Sequence, residues 1–397
     1  MRHARLLLLL LSGFVGRVLA QGTDEQLAAQ YFQQGDYERA ALYYAKLYDQ
    51  QPSTFNYDQL FTCWMALKNF EDAEKIAKDQ SRKQSDPKYL VDLGQVMKAR
   101  GEPEKADQQF DKALKNLKED QNGVRTLASA FQKYNDFERA LAVYERGKKA
   151  LRNEGYSFDY EIAQIYGAKG DVQAMVSSYM DLLAANPSYL QAVQNGLGRY
   201  IDHTRSDTRT ELLRTELLRR TQRDPDNTIF QELLIWHYLQ QKDLTGAFVQ
   251  SKAMDKRFNE GGLRLMELAD IAVTNKEWTM AAKCYQYVLD MGAQHPNHAK
   301  ARLGLVKALD ARVTEQAEPP ASELAELETQ YNTAITDLGR SAQTTELLRG
   351  LARVKAYYMN DRAGAAALLE EAINTGGVDP KVRAQLKLDL GDVYLFD

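Results

Sequence analysis

Ten residues, GDYERAALYY, begin at Gly35, and nearly the same ten, NDFERALAVY, begin at Asn135. Both copies keep an acid, an aromatic, Glu-Arg-Ala, and a tyrosine four residues beyond the alanine. A chain that repeats itself at a fixed separation folds one supersecondary unit many times, and this separation divides into about three units of helical-repeat size. The sequence between agrees, with KNFEDAEKIA from Lys68 and GEPEKADQQF from Gly101. Aligned on the alanine, Ala40, Ala73, Ala106 and Ala140 follow at intervals of 33, 33 and 34. Met175, Ala247, Ala281 and Ala365 hold the same place downstream, at intervals of 35, 72, 34 and 84. The two wide gaps each have room for two units, the second with an insertion.

A repeat array sets aside the usual reading of 397 residues as two or three domains. Strong helix formers fill almost every stretch, proline is scarce at nine, and no run of β-branched residues marks a strand. The expected class is all-α.

Residues 21–53 show the physics of one unit. A first helix from about Asp24 to Gln34 carries Leu27, Ala28, Tyr31 and Phe32 at amphipathic spacing. Gly35 accepts the left-handed geometry of a helix exit, and Asp36 can cap the next helix. That second helix, Tyr37 to Asp49, turns Ala40, Ala41, Tyr44 and Leu47 inward, with Ala40 small where two helices cross. Pro52 stops it.

Ala28, Tyr31, Gly35-Asp36-Tyr37, Ala40, Tyr44 and Pro52 resemble the pattern of the tetratricopeptide repeat, in a protein of exported bacterial type. Tyr166, Gly170-Asp171, Tyr179 and Pro187 match it again, as do Leu93-Gly94, Gly101, Ala106, Phe110 and Ala113. Each match alone is degenerate; seven or eight in near-constant phase are specific. The resemblance implies a right-handed α-α solenoid of stacked helix-turn-helix repeats. Its expected organisation is a signal peptide (1–20), five repeats (21–188), an irregular helical pair (189–227) and two repeats (228–296). An irregular pair with a loop (297–343), one repeat (344–378) and the first helix of an incomplete repeat (379–397) complete it.

The first twenty residues differ from the rest. Arg2, His3 and Arg5 precede an apolar run from Leu6 to Val15, then VLA and Gln21. A basic start, short apolar middle and small-residue exit describe a secretory signal peptide cleaved after Ala20. The run is too short for the roughly 20 residues of a spanning helix. Cleavage there removes three arginines and no acids, taking the formal charge from −4 to −7. Phosphate binding asks for a basic footprint, so nucleic acid is not an expected partner. Cys63 and Cys284 stand too far apart to meet in a solenoid, and both read as small buried apolar residues.

Other features are read as structural. Glu211 and Glu216 precede Arg214 and Arg219 by three, the spacing of helix-face ion pairs rather than of a basic docking strip. His295 and His298 lack a carboxylate or cysteine to complete a metal set, so no metal and no cofactor are expected. The tail LKLDLGDVYLFD matches a first helix, and the expectation is that further repeats beyond residue 397, or another protein, cover it.

No nucleotide loop, nucleophile elbow or zinc-protease motif occurs, and catalysis is not expected. The resemblance implies a concave groove lined by first helices. Mapped onto this chain it takes Phe32, Phe55, Asp58 and Met65, then Lys88, Gln95, Lys98, Arg125, Ser129, Gln132, Lys133 and Tyr160. The partner-binding candidates are Phe32, Met65, Lys98, Arg125, Gln132, Lys133 and Tyr160. Lysines and Arg125 beside Tyr160 and amides suit an acidic or extended peptide. Glu25, Ala29, Asp58 and Thr62 stand where the family's chaperone-tail clamp begins, and do not support that ligand. The expected function is a non-catalytic scaffold binding envelope proteins, in the periplasm or at the outer membrane. The alternatives are secretion, and an accessory protein presenting a peptide or glycan to an envelope enzyme.

Overall fold

The computed structural model describes residues 24–154 and 156–395; the segment read as an export signal lies outside them. The described residues are helical with no strand, and they form two compact units that divide at Leu182 and Leu183.

The first unit is a series of helical pairs. Helix α1 (24–33) is followed by α2 (Tyr37–Gln50), then α3 (Thr54–Ala66) by α4 (Phe70–Lys83). Next come α5 (Lys88–Ala99) with α6 (Pro103–Lys115), α7 (Gln121–Lys133) with α8 (Phe137–Ala150), and α9 (Asp159–Lys169) with α10 (Val172–Ala185). Helices α2 to α6 pack in chain order, α7 packs on α8 and α8 on α9, and first helix α5 also lies against first helix α7.

The turn inside each pair is one motif written with different residues. Gly35, Lys68, Gly101, Asn135 and Gly170 all have positive φ, between 57° and 83°. The next residue donates its N–H to the carbonyl five back: Asp36 to Tyr31, Asn69 to Trp64, Glu102 to Met97, Asp136 to Phe131 and Asp171 to Tyr166, at 2.8–3.0 Å. These bonds satisfy carbonyls that a helix end would otherwise orphan. Asp36, Asn69, Asp136 and Asp171 then accept from the backbone three residues on, capping the second helix. Such caps are worth about 1 kcal/mol each. Glycine fills the left-handed position freely; at Lys68 the chain holds it against the cost to a side-chain-bearing residue.

The alanine register marks the helix crossings. Ala40, Ala73, Ala106 and Ala140 are at most 1 % exposed, as is Met175 at the same place. Tyr57, Phe61, Tyr89, Phe110, Phe131 and Phe158 fill the space between pairs.

The second unit keeps the motif where the sequence repeats and departs from it where the register fails. Helix α11 (Leu190–Tyr200) is joined to α12 (Thr208–Arg223) by the connection 201–207 rather than a tight turn. Both pack on α13 (Thr228–Gln240), which pairs with α14 (Leu244–Phe258). Helix α15 (Leu263–Thr274) pairs with α16 (Trp278–Leu289). Lys242 and Lys276 hold the left-handed turn positions, at φ 57° and 59°. Two longer helices follow, α17 (His298–Thr314) and α18 (Ala321–Leu338), with the Pro-Pro segment between them as an exposed loop. Helix α19 (Thr345–Tyr358) pairs with α20 (Arg362–Asn374) through Asn360 at φ 53°, and α21 (Pro380–Leu395) packs on α20. Ala247, Ala281 and Ala365 are fully buried.

Cys63 and Cys284 are both free and buried, and burial pushes their thiols up to about 11 and about 12. Glu211 pairs with Arg214 at 2.7 Å, and Glu216 with Arg219 and Arg220 at 2.6 and 2.7 Å, so α12 is laced along its own face. Among the described residues no helix is long and apolar enough to cross a membrane.

Candidate partner-binding groove

Three first helices of consecutive pairs, α3, α5 and α7, enclose a hollow of about 520 Å³. Helical spacing places its lining. Asp58 and Thr62 lie four apart on α3, Lys88 and Asp92 four apart on α5, and Arg125, Ser129 and Lys133 four apart on α7. Residues four apart share one face of a helix. On α7 the opposite face, Val124, Leu127, Ala128 and Phe131, is buried, so the polar stripe has to face outward.

The floor is a buried carboxylate shared by three elements. Asp92 is 4 % exposed and accepts from the Tyr57 hydroxyl of α3 at 3.0 Å and from the Tyr134 hydroxyl, just past α7, at 2.6 Å. Burial pushes the Asp92 carboxyl above the usual carboxylate range, against the pull of Lys133 and both phenols. Tyr57 and Tyr134 are driven well above the ordinary phenol range, by burial first and then by Asp92. A buried carboxylate with a donor on each oxygen fixes the separation of the three helices.

The rim carries cations laid on aromatic rings. The Lys88 ammonium stands 5.0 Å from the Tyr89 ring centroid and 5.9 Å from that of Tyr57, and pairs with Asp58 at 3.5 Å. Lys133 lies 5.3 Å from the Tyr134 centroid and 5.7 Å from that of Phe61. The Arg125 guanidinium sits 5.3 Å from the Tyr156 centroid, hydrogen-bonds its hydroxyl, and pairs with Glu161 at 2.9 Å. Lys88 and Arg125 are therefore matched by acids. Among the described residues Lys133 has no carboxylate within ion-pairing distance.

The sequence-derived candidates divide on this geometry. Arg125 and Lys133 meet in the hollow, together with Asp58, Lys88 and Ser129 from the wider groove set. Lys98 is exposed at the end of α5 and does not line it. Ten residues beyond Lys88 at about 100° each bring it roughly 80° around the helix. Gln95 is buried instead of presented. Phe32 packs edge-on against Tyr37 and Tyr44, at 5.6 and 6.0 Å, inside its own helical pair. Phe55 is exposed and stands edge-on to Tyr44. Met65 is half-buried against the core, Gln132 is half-buried off the hollow, and Tyr160 is half-buried beside the Tyr179 ring. Gln59, Thr62, Asp92, Thr126 and Ala130 also line the hollow and are not among the groove candidates. The signal for Asp92 was a lone acid within the apolar run YLVDLG.

His298 lies 3.8 Å from Asp337, and the His295 ring accepts from the Asn297 backbone. Among the described residues no group of three or more His, Cys, Asp or Glu side chains is arranged to hold a metal ion.

No protein-family model matches the sequence, and no curated protein does. Solved structures similar to it include yeast Tom70, at 12% identity over 96% of this chain and 96% of that one, with a TM-score of 0.29. A tetratricopeptide repeat protein from Parabacteroides merdae is 12% identical over 78% and 100%, at 0.26. The C-terminal part of a TPR repeat-containing protein from Cytophaga hutchinsonii is 17% identical over 70% and 98%, at 0.26. By its own period, its left-handed turns and its packing of helix on helix, the chain is, over the described residues, an all-α array of stacked helix-turn-helix repeats.

Proposed function

We propose that this protein is a non-catalytic scaffold that seats an extended segment of a partner protein along α3, α5 and α7. The observation that carries this reading is the convergence of Asp58, Thr62, Lys88, Arg125, Ser129 and Lys133 around one hollow, over a floor locked by Asp92. Side chains held by packed helices give a partner fixed donors and acceptors without an ordering cost at binding. Because Lys88 and Arg125 are already matched by Asp58 and Glu161, the groove suits a polar segment with one acidic group directed at Lys133, rather than a run of acids. The setting we propose is the bacterial cell envelope after export, which rests on the sequence of residues 1–20.

The test pairs a partner captured from envelope extracts with the double variant Arg125→Glu, Lys133→Glu. Binding should fall more than tenfold while the melting temperature stays close to the parent, and added salt should weaken the parent complex. Unchanged binding by that variant, or equal loss on changing Arg214, Arg219 and Arg220, would reject the groove. Export is tested separately by the N-terminus of the mature protein, expected at Gln21; an intact Met1 in cytosolic extract would reject it.

A further inference from the structure

The irregular helical pair holds a second buried polar cluster. His203 lies in the connection 201–207 and His237 in the last turn of α13. They are 8 % and 0 % exposed, with their Nδ1 atoms 3.2 Å apart. The Trp236 ring stands edge-on to His203 at 4.8 Å. The Nε2 atoms of both histidines are buried and meet no hydrogen-bond partner.

Proton counting shows what this arrangement tolerates. Two neutral imidazoles carry one N–H each. One of these N–H groups makes the Nδ1–Nδ1 bond, and the ring that accepts must carry its own proton on a buried Nε2. A third proton adds a full charge and a second unpaired N–H to the same apolar space. A fourth sets two Nδ1–H groups against each other and abolishes the bond.

The surroundings offer little compensation. Asp202 in the connection favours protonation of His203, but it already accepts from Thr204 and pairs with Arg205 at 3.3 Å. From α12, Glu211 favours protonation of His237 and Arg214 opposes it, and these two are bonded to each other. Among the described residues no charged group of α11 or α14 shifts either ring.

We infer that the His203–His237 contact is an acid-released catch, which holds the 201–207 connection and α12 on α13 while both rings are neutral and frees them when the rings are protonated. Release would uncover Leu213 and Leu217 of α12, which are fully buried in the closed form. Burial holds His237 down at about 4, and His203 is also lowered by burial. For a histidine lowered in the closed form, the opened form binds the proton first. Closure is thus fully favoured above the ordinary imidazole value of about 6.5 and is lost as pH falls from there toward 4.

Hydrogen exchange on the whole chain tests this, with protection factors corrected for the intrinsic pH dependence of exchange. Between pH 7.5 and 5.0, amides in 201–223 should lose about thirtyfold in protection from His237 alone, while those of α3–α8 hold theirs. In His237→Gln that thirtyfold share should disappear, leaving only the loss that His203 contributes, because the neutral amide has no proton to take up in this range. Protection that is retained by the parent at pH 5.0, or lost equally in the variant, overturns the inference. If the variant does not fold, the parent decides by NMR of its imidazole C–H resonances. The His237 signal should stay that of a neutral ring until the segment opens, and titration centred near 6.5 with protection retained overturns the catch.

Discussion

Leu93-Gly94 in α5 and Leu390-Gly391 in α21 occupy the same place in the repeat pattern, yet one substitution should act on them with opposite sign. A Cβ added at Gly94 would lie 2.4 Å from Cε1 of Phe110, with Cδ1 at 2.8 Å and Cζ at 2.9 Å. Carbon contacts are comfortable at about 3.5–4.0 Å, so the ring has to retreat by roughly 1 Å. It has nowhere to go. Phe110 is buried, edge-on to Phe131 at 5.8 Å and covered by the Arg139 guanidinium at 4.7 Å. Alanine gains about 1 kcal/mol over glycine in a helix interior. Overpacking costs about 1–3 kcal/mol, toward the upper end for a ring fixed on two sides. Gly94→Ala should therefore destabilise the first unit by about 1–2 kcal/mol. At Gly391 an added Cβ meets nothing within 4 Å. The propensity gain stands there alone, and Gly391→Ala should stabilise by about 0.5–1 kcal/mol, since it lies near the helix end. Urea denaturation followed by helix signal, with hydrogen exchange to locate the change, measures both. A neutral or stabilising Gly94→Ala, or the same sign at both sites, would refute the register that sets Gly94 beneath Phe110.

Tyr134→Phe removes the donor to one oxygen of buried Asp92, and should lower stability by about 1–3 kcal/mol in the same denaturation assay. Lys242→Gly should stabilise the second unit by about 0.5–1 kcal/mol, because relief of a left-handed residue outweighs the added freedom of the unfolded chain. A loss of stability there would mean that the Lys242 side chain has a role its exposed position does not reveal. Cys63 and Cys284 should resist alkylation in the native protein at pH 8 and react on unfolding; mass spectrometry before and after urea reads this directly.

Much of the fold was legible because its determinants are local. The alanine at each crossing, the Asp or Asn cap and the apolar three-and-four spacing all act within one pair of helices. The period then follows without long-range knowledge. The left-handed turn was readable at Gly35, Gly101 and Gly170 but not at Lys68, Lys242 and Lys276. There lysine adopts the conformation because the packed helices on both sides impose it.

The groove was legible only in part. A helical pattern told which face of α7 turns outward, so Arg125, Ser129 and Lys133 fell together as a set. It did not tell how far each neighbouring face is rotated: Lys98, read as a groove residue, is not among the side chains that line the hollow, whereas Lys88 and Asp92 of the same helix are. Residue spacing determined the repeat, its length and its buried stripes, since those depend on contacts between near neighbours in the chain. Only tertiary structure joined Tyr57 and Tyr134 to Asp92 across 35 and 42 residues, and His203 to His237 across 34. Such contacts depend on how one pair of helices is set against the next and on side-chain rotamers, to angstrom tolerance, and no periodicity within a single helix encodes that.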